Sequence, residues 1–462
     1  MNYLDLRKNY PVFTYKSFEW EYEENDLLIK WNLSTSNFEF HPQLRILNAK
    51  KQVSQTDKKV IDNFIFNLGV LESFSYWKAF CSPVIEIPAG YLDDDQLIFW
   101  TDLLLCGMGQ YFYENNISYT EKNFIEIRSQ SDDHSRFLKF GTNNLRSENR
   151  KTLIPVGGGK DSSLSLNLLT GNLSLKTLGA FVLNQNNNPS IKNIIKISGI
   201  DFIIETERVV DQKLLELNKN GFLNGHTPFS AYLAFLSVFA AVIFGFQDVV
   251  FSNERSSNEG NAKYLGFEFN HQYSKTIEFE NKFRDYNRKY LSDINFFSFL
   301  RPLYDLQIMK LFSKCFRYLP AFISCNKTAR EGRWCGKCSK CLSTYVCLFP
   351  FLDDETMLSI FGRDLLSDLD LVDLTHSMIG EDTVKPFECI GTREELKIAF
   401  YLSYKKAGNP DSLALLKYFV ERILPEETNW EERSQKLLSE WDNNNNLGNE
   451  YKSILQKKIF AI

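Results

Sequence analysis

The segment that most constrains this chain is Val156-Gly157-Gly158-Gly159-Lys160-Asp161-Ser162-Ser163, set between a mainly apolar run, 152–156, and a helix-patterned stretch, 162–169. A strand, a glycine turn and a helix start place free backbone N–H groups and the positive end of a helix dipole together, which suits an anion. Three successive glycines allow backbone angles and close approaches that side chains forbid. Lys160 adds a point charge, Asp161 can orient the loop or hold Mg²⁺, and Ser162 and Ser163 can donate hydroxyl hydrogen bonds. A kinase- or GTPase-type loop needs Gly-x-x-x-x-Gly-Lys-[Ser/Thr], and here Asp161 follows the lysine, so that motif is excluded. The plainer alternative is a glycine turn that only packs tightly.

The residues after the loop alternate between strand and helix patterns: strand 178–183, helix 191–197, strand 202–204, helix 209–218 and strand 248–251. Alternation of this kind predicts an α/β fold, a doubly wound parallel sheet with helices on both faces. The ligand crevice then lies beyond the carboxyl ends of the strands. Before it, 13–46 reads as short antiparallel strands, 62–79 and 95–115 as helices and 124–127 as a strand. Beyond 352 the pattern is mostly helical. The expected division is a β-rich N-terminal α+β domain over 1–148, the nucleotide domain over 149–350 and a helical C-terminal region over 351–462.

With 462 residues, 44% hydrophobic and 24% charged, the chain has the balance of a folded protein of several domains. A net charge of −5 supplies no global attraction to nucleic acid. The charged N-terminus does not read as a secretory signal, so a cytoplasmic location is expected. The uncharged stretch 227–247 is long enough to span a bilayer. Pro228, Ser230, Ser237 and the lack of a second such segment favour a buried helix, with no membrane partner.

Cys325, Cys335, Cys338 and Cys341 give Cys-x9-Cys-x2-Cys-x2-Cys, a spacing that can close a four-thiolate zinc shell. An iron–sulfur cluster is the competing occupant. A closed shell leaves no position for substrate, so the zinc would be structural, pinning Lys327, Arg330 and Arg333 near the site. Cys81, Cys106, Cys315 and Cys347 sit in apolar contexts and read as core.

The almost wholly polar stretch 252–261 follows a strand and is either a solvated turn or a ligand-reading surface. In it, Asn253 and Arg255 are candidate substrate contacts, Arg255 as a bidentate clamp, and Glu254 and Glu259 are candidate bases or Mg²⁺ ligands. His226, His271, Lys275, Arg301 and Arg333 complete the polar candidates. A single histidine is more often structural, and both readings stand for His226 and His271.

Gly157 to Ser162 resembles the Ser-Gly-Gly-x-Asp-Ser signature of the PP-loop ATP pyrophosphatases, with Gly157 in place of the serine. That family binds ATP through this loop and releases pyrophosphate. The cysteine spacing resembles the zinc site of the deazaguanine nitrile synthases, which are also PP-loop enzymes. In order along the chain, further segments resemble the ATP-dependent UDP-N-acetylmuramoyl-L-alanyl-L-glutamate epimerases of the MurL type. They are Ser75-Tyr76-Trp77-Lys78-Ala79, Gly107-Met108-Gly109-Gln110-Tyr111, Gly225-His226-Thr227-Pro228, Ser252-Asn253-Glu254-Arg255-Ser256 and Asn270-His271-Gln272-Tyr273-Ser274-Lys275. Arg301-Pro302-Leu303, Arg333-Trp334-Cys335-Gly336-Lys337-Cys338 and Lys385-Pro386-Phe387-Glu388-Cys389-Ile390-Gly391 continue the series. Residues beyond about Glu394 are unmatched. The loop of that family also opens with glycine.

This resemblance implies inversion of the terminal L-Glu of UDP-MurNAc-L-Ala-L-Glu, a peptidoglycan precursor, with ATP and Mg²⁺ consumed to AMP and pyrophosphate. Adenylation would neutralise the carboxylate and provide an enolate sink, and two acid/base groups would then invert the carbon. The candidates are His271, Glu254, Glu259, Glu388 and Cys389, with a buried structural thiol as the alternative for Cys389. Competing functions are another adenylating PP-loop enzyme making an amide or nitrile, an RNA thiolase, an epimerase of a different acidic peptide, and a non-catalytic nucleotide-binding protein.

Overall fold

The computed structural model describes residues 1–129, 139–141, 150–184, 188–381 and 384–459. The polar stretch 129–149, expected to end the first domain, falls mostly outside them.

Thirteen strands are formed by the described residues: β1 (Val12–Glu23), β2 (Asp26–Thr35), β3 (Phe38–Phe40), β4 (Gln43–Ile46), β5 (Val84–Ile87), β6 (Glu126–Ser129), β7 (Thr152–Pro155), β8 (Leu178–Leu183), β9 (Ile203–Val209), β10 (Asp248–Phe251), β11 (Ala262–Tyr264), β12 (Phe267–Phe269) and β13 (Asn295–Ser298). Eleven of them make one sheet in the order β13-β10-β7-β8-β9-β4-β2-β1-β5-β6, with β3 on β2, and β11 and β12 form a separate hairpin. From β13 to β9 every neighbour is parallel. β4 joins β9 antiparallel, from Gln43 opposite Val209 to Ile46 opposite Thr206. The N-terminal strands therefore extend the same sheet.

Strand composition follows position. β10 is buried at all four residues, as a central parallel strand covered on both faces must be. Along each strand successive side chains enter different cores. Leu153, Phe181, Val249 and Phe296 belong to one cluster, whereas Ile154, Val182, Val250 and Phe297 belong to the other. The helices Lys58–Trp77 and Phe229–Phe244 cover the first face. The helices Lys160–Thr170, Pro189–Ser198 and those of the C-terminal region cover the second. The result is a mixed α/β architecture with a parallel-rich sheet between two cores and a helical C-terminal region.

The charge-free stretch 227–247 contains the 16-residue helix Phe229–Phe244, which stops where Gly245 turns left-handed at φ 73°. Its Phe239 stacks on Phe64 at 5.0 Å between ring centroids. Among the described residues no helix is long and apolar enough to cross a membrane. Two boundaries differ from expectation. β9 runs on to Val209, and the next helix starts at Gln212 rather than 209 because Asp211 caps it, accepting from Lys213 N at 2.9 Å. The helix expected over 95–115 is two helices, Asp94–Gly107 and Gly109–Glu114, joined at Met108.

Candidate active site

Strand order reverses at β7, with β8 and β9 laid down to one side and β10 and β13 to the other. The carboxyl ends of β7, β8 and β10 consequently meet at a switch point, where open α/β sheets bind ligands. A cleft of about 580 Å³ lies there, lined by Gly157, Gly159, Asp161 and Ser162 after β7, Asn184 after β8, and Asn253 and Glu254 after β10. Val156, Phe181, Ile191 and Phe251 give it an apolar wall.

The loop is built for close approach. Gly158 has φ +84°, and a Cβ there would meet Ile191, Asn188 and Ser190 at 3.2 to 3.3 Å, so only glycine fits. Its carbonyl accepts from Ser190 Oγ at 2.8 Å and Ile323 N at 3.0 Å. At Gly157 a Cβ would meet nothing within 4 Å, which leaves that backbone open to a ligand. The helix Lys160–Thr170 has no side-chain cap at Gly159, so an anion can take that place. Ser163 is fully buried and donates to Gly159 O at 2.8 Å; it braces the loop instead of lining the cleft. Ser162 donates to the same carbonyl at 3.2 Å but does line the cleft.

Lys160 is buried, with Asp161 and Asp305 each 2.5 Å from Nζ. Burial opposes its charge, and Asp161, Asp305 and Glu254 more than offset that, holding it protonated. Glu254 is 5% exposed; burial first, then the charge of Asp161, raise its carboxyl to about 7 against the pull of Lys275 and Lys160. Asp305 is raised to about 6, chiefly by burial. Asp305 was not among the expected residues. Its signal is slight: it follows Arg301-Pro302-Leu303 at a helix start and has no motif of its own.

Lys275 also lines the cleft, and its Nζ stands 3.2 Å from Cys389 Sγ. His271 is held by Gln110, which accepts at Nδ1, and its ring lies 4.4 Å from that of His226. Burial, then His271, Lys78 and Lys275, lower His226 to about 3, so it is neutral. Glu388 accepts from Asn326, a cleft residue, and burial raises its carboxyl. Of the expected acid/base candidates, Glu254, His271, Glu388 and Cys389 are thus brought around Lys275 and the cleft edge.

Four expected residues are engaged elsewhere. Glu259 is paired with buried Lys385 and accepts from Arg393 N at 3.3 Å. Arg301 is 0% exposed; it donates to Glu254 O at 2.7 Å, Ser257 Oγ at 3.0 Å and Glu280 at 3.1 Å, tying loops together beneath the site. Arg255 lies over the Tyr304 ring at 4.2 Å and pairs with Glu440 at 3.3 Å. Arg333 is exposed and pairs with Glu331 at 2.5 Å.

The sulfurs of Cys325, Cys335, Cys338 and Cys341 all lie within 4.8 Å of one another. The closer separations are 3.5, 3.6 and 3.9 Å. Four sulfurs bound tetrahedrally at about 2.3 Å from one zinc ion stand about 3.8 Å apart, so the quartet fits a single metal ion such as zinc. A cluster of several irons would spread its thiolates over different metal atoms and hold them farther apart. The strap 323–341, which carries the cysteines, supplies the cleft with Ser324, Asn326, Arg330 and Lys340, and Ser324 Oγ accepts from Lys160 N at 3.3 Å. Lys340 escaped the sequence reading because the surrounding cysteines account for its motif.

Fold and site together define an α/β protein with a glycine-rich loop at a sheet switch point and, beside it, four cysteines that could hold a metal ion. Family models described as the MurL N-terminal domain and the MurL C-terminal domain match residues 5–299 and 321–435, and the chain belongs to the MurL family. The second match runs well past Glu394, where the sequence resemblance was expected to end. Three similar proteins are named UDP-N-acetyl-alpha-D-muramoyl-L-alanyl-L-glutamate epimerase. That of Xanthomonas oryzae pv. oryzae is 30% identical over 78% of each chain. That of a Micromonospora species is 33% identical over 72% of this chain and 73% of its own. That of Salinispora tropica is 29% identical over 87% of this chain and 86% of its own. No solved structure matches the chain.

Proposed function

We propose that this protein is a cytoplasmic, ATP-dependent epimerase that inverts the terminal L-Glu of UDP-MurNAc-L-Ala-L-Glu to D-Glu, with a PP-loop ATP pyrophosphatase fold. The observation that carries the reading is Lys275, which lines the cleft together with the glycine loop and reaches Cys389 at 3.2 Å. Phosphate binding and proton chemistry share one site.

In this reading the residues 157–163 hold the ATP phosphates, and Mg²⁺, which Asp161 would hold, would oppose their charge. A carboxylate oxygen of the substrate attacks the α-phosphorus and pyrophosphate leaves, giving an acyl adenylate. The carboxyl is then neutral, so its α-proton becomes acidic enough to remove, and the enolate is reprotonated from the other face. Water then releases AMP and the inverted product. Zinc, when bound by the four cysteines, supplies structure only: it fixes the strap that carries Ser324, Arg330 and Lys340.

Incubation with ATP, Mg²⁺ and UDP-MurNAc-L-Ala-L-Glu in deuterated water should yield AMP, pyrophosphate and a D-Glu product with deuterium at the α-carbon. Formation of neither AMP nor α-deuterium would sink the reading. Asp161→Asn should abolish pyrophosphate release, measured by a coupled phosphate assay; unchanged release would remove Asp161 from the mechanism.

A further inference from the structure

Cys389 lies where three parts of the chain converge. Lys275 reaches it at 3.2 Å, and His271 and, from the cysteine strap, Lys340 lie close enough to act on its charge. Behind it, His271 is fixed by Gln110 from the N-terminal part of the chain. Cys389, Lys275 and His271 are each half-buried, and Lys275 carries the cluster into the cleft. Of the other thiols outside the metal quartet, Cys81 meets Arg7 at 3.7 Å but is fully buried, and burial raises it. Burial pushes Cys106 and Cys315 up to about 12. At Cys389 burial acts in the same direction, but Lys275 and His271 outweigh it and hold the thiol well below its ordinary value.

We propose that Cys389 is one of the two groups that exchange the α-proton, its sulfur serving one face of the activated carbon. This rests on the epimerase reading. On that face the C–H bond breaks as the S–H bond forms, and the electron pair passes into the acyl carbonyl as an enolate. On the opposite face a second acid returns a proton and the C–H bond re-forms. Lys275 and His271 are positioning residues that stabilise the thiolate.

The test separates adenylation from proton exchange. Cys389→Ser should still form AMP from ATP and substrate, while inversion falls by roughly 100-fold or more, the usual scale for losing an acid/base group. In deuterated water the variant should exchange the α-proton of only one epimer, and which one identifies the face that Cys389 serves. Unchanged inversion with exchange from both epimers would overturn the assignment and leave the epimerase reading intact. No AMP from the wild-type protein would instead overturn the epimerase reading.

If Cys389→Ser loses AMP formation as well, the wild-type protein decides. Iodoacetamide at pH 7, with sites mapped by mass spectrometry, should alkylate Cys389 before Cys106 and Cys315, and inversion should fall in step with that label. Protein that still inverts substrate with Cys389 fully alkylated would refute the proposal.

Discussion

Glu254 is 5% exposed beside Asp161 and Asp305, and its carboxyl is raised from 4.5 to about 7, by burial first. The folded protein therefore holds this proton more tightly than the unfolded chain does. Stability is lost as pH rises past 4.5, and the loss is complete above about 7. Glu254→Gln removes the charge but keeps the shape, so it should stabilise the protein at pH 8 by on the order of 2–3 kcal/mol and progressively less toward pH 5. Urea unfolding at the two pH values checks this; a destabilised variant at pH 8 would show that Lys160 and Lys275 already compensate the carboxylate. Arg301 poses the opposite case. Arg301→Met strands Glu280, 2% exposed, without its cation, and should cost about 3–5 kcal/mol in the same assay. Both residues look alike as polar candidates in the sequence. What separates them is burial: nothing in Arg301-Pro302-Leu303 shows that the guanidinium is consumed by carbonyls and a carboxylate from three other segments.

The strap 323–341 acts as one element because its ends are held in two ways. Ile323 N bonds Gly158 O and Ser324 Oγ accepts from Lys160 N, so one end is stitched to the glycine loop. The cysteines hold the other end, with Gly336 at φ +68° making the tight turn between Cys335 and Cys338. Metal analysis should find about one zinc per chain, and Cys338→Ser should lose it. Because Ser324, Arg330 and Lys340 depend on the strap, ATP affinity should fall roughly tenfold or more in that variant, read by calorimetric titration. Full ATP affinity in a metal-free protein would show that the hydrogen bonds to Gly158 and Lys160 order the strap without it. At this scale the sequence was most readable. A thiolate spacing, a glycine turn and a four-residue apolar strand are each short-range signals, and β7, β8, β10 and the quartet emerge from them directly. β9 and its following helix were less clear because Asp211 sets the boundary through a cap, not through apolar periodicity.

For the whole molecule, the decisive fact is the antiparallel joint between β4 and β9. It makes the N-terminal strands part of the parallel sheet that carries the glycine loop, a long-range pairing that no local pattern announces. The same closure assembles the site from remote segments: Gln110 from the N-terminal half, His271 and Lys275 from the middle, and Cys389 from the C-terminal region. What presses that last segment into place is Lys385, 2% exposed and paired with Glu259, which also accepts from Arg393 N. The clamp touches neither the glycine loop nor Cys389. Lys385→Met should therefore leave ATP binding near wild type while displacing Cys389. Inversion per AMP formed should fall about tenfold, and Lys385→Arg should restore most of it by keeping the ion pair. Equal loss of AMP formation and inversion would mean that Glu259, left uncompensated, disturbs the 252–261 loop and Glu254 with it; the ratio of the two rates tells these outcomes apart.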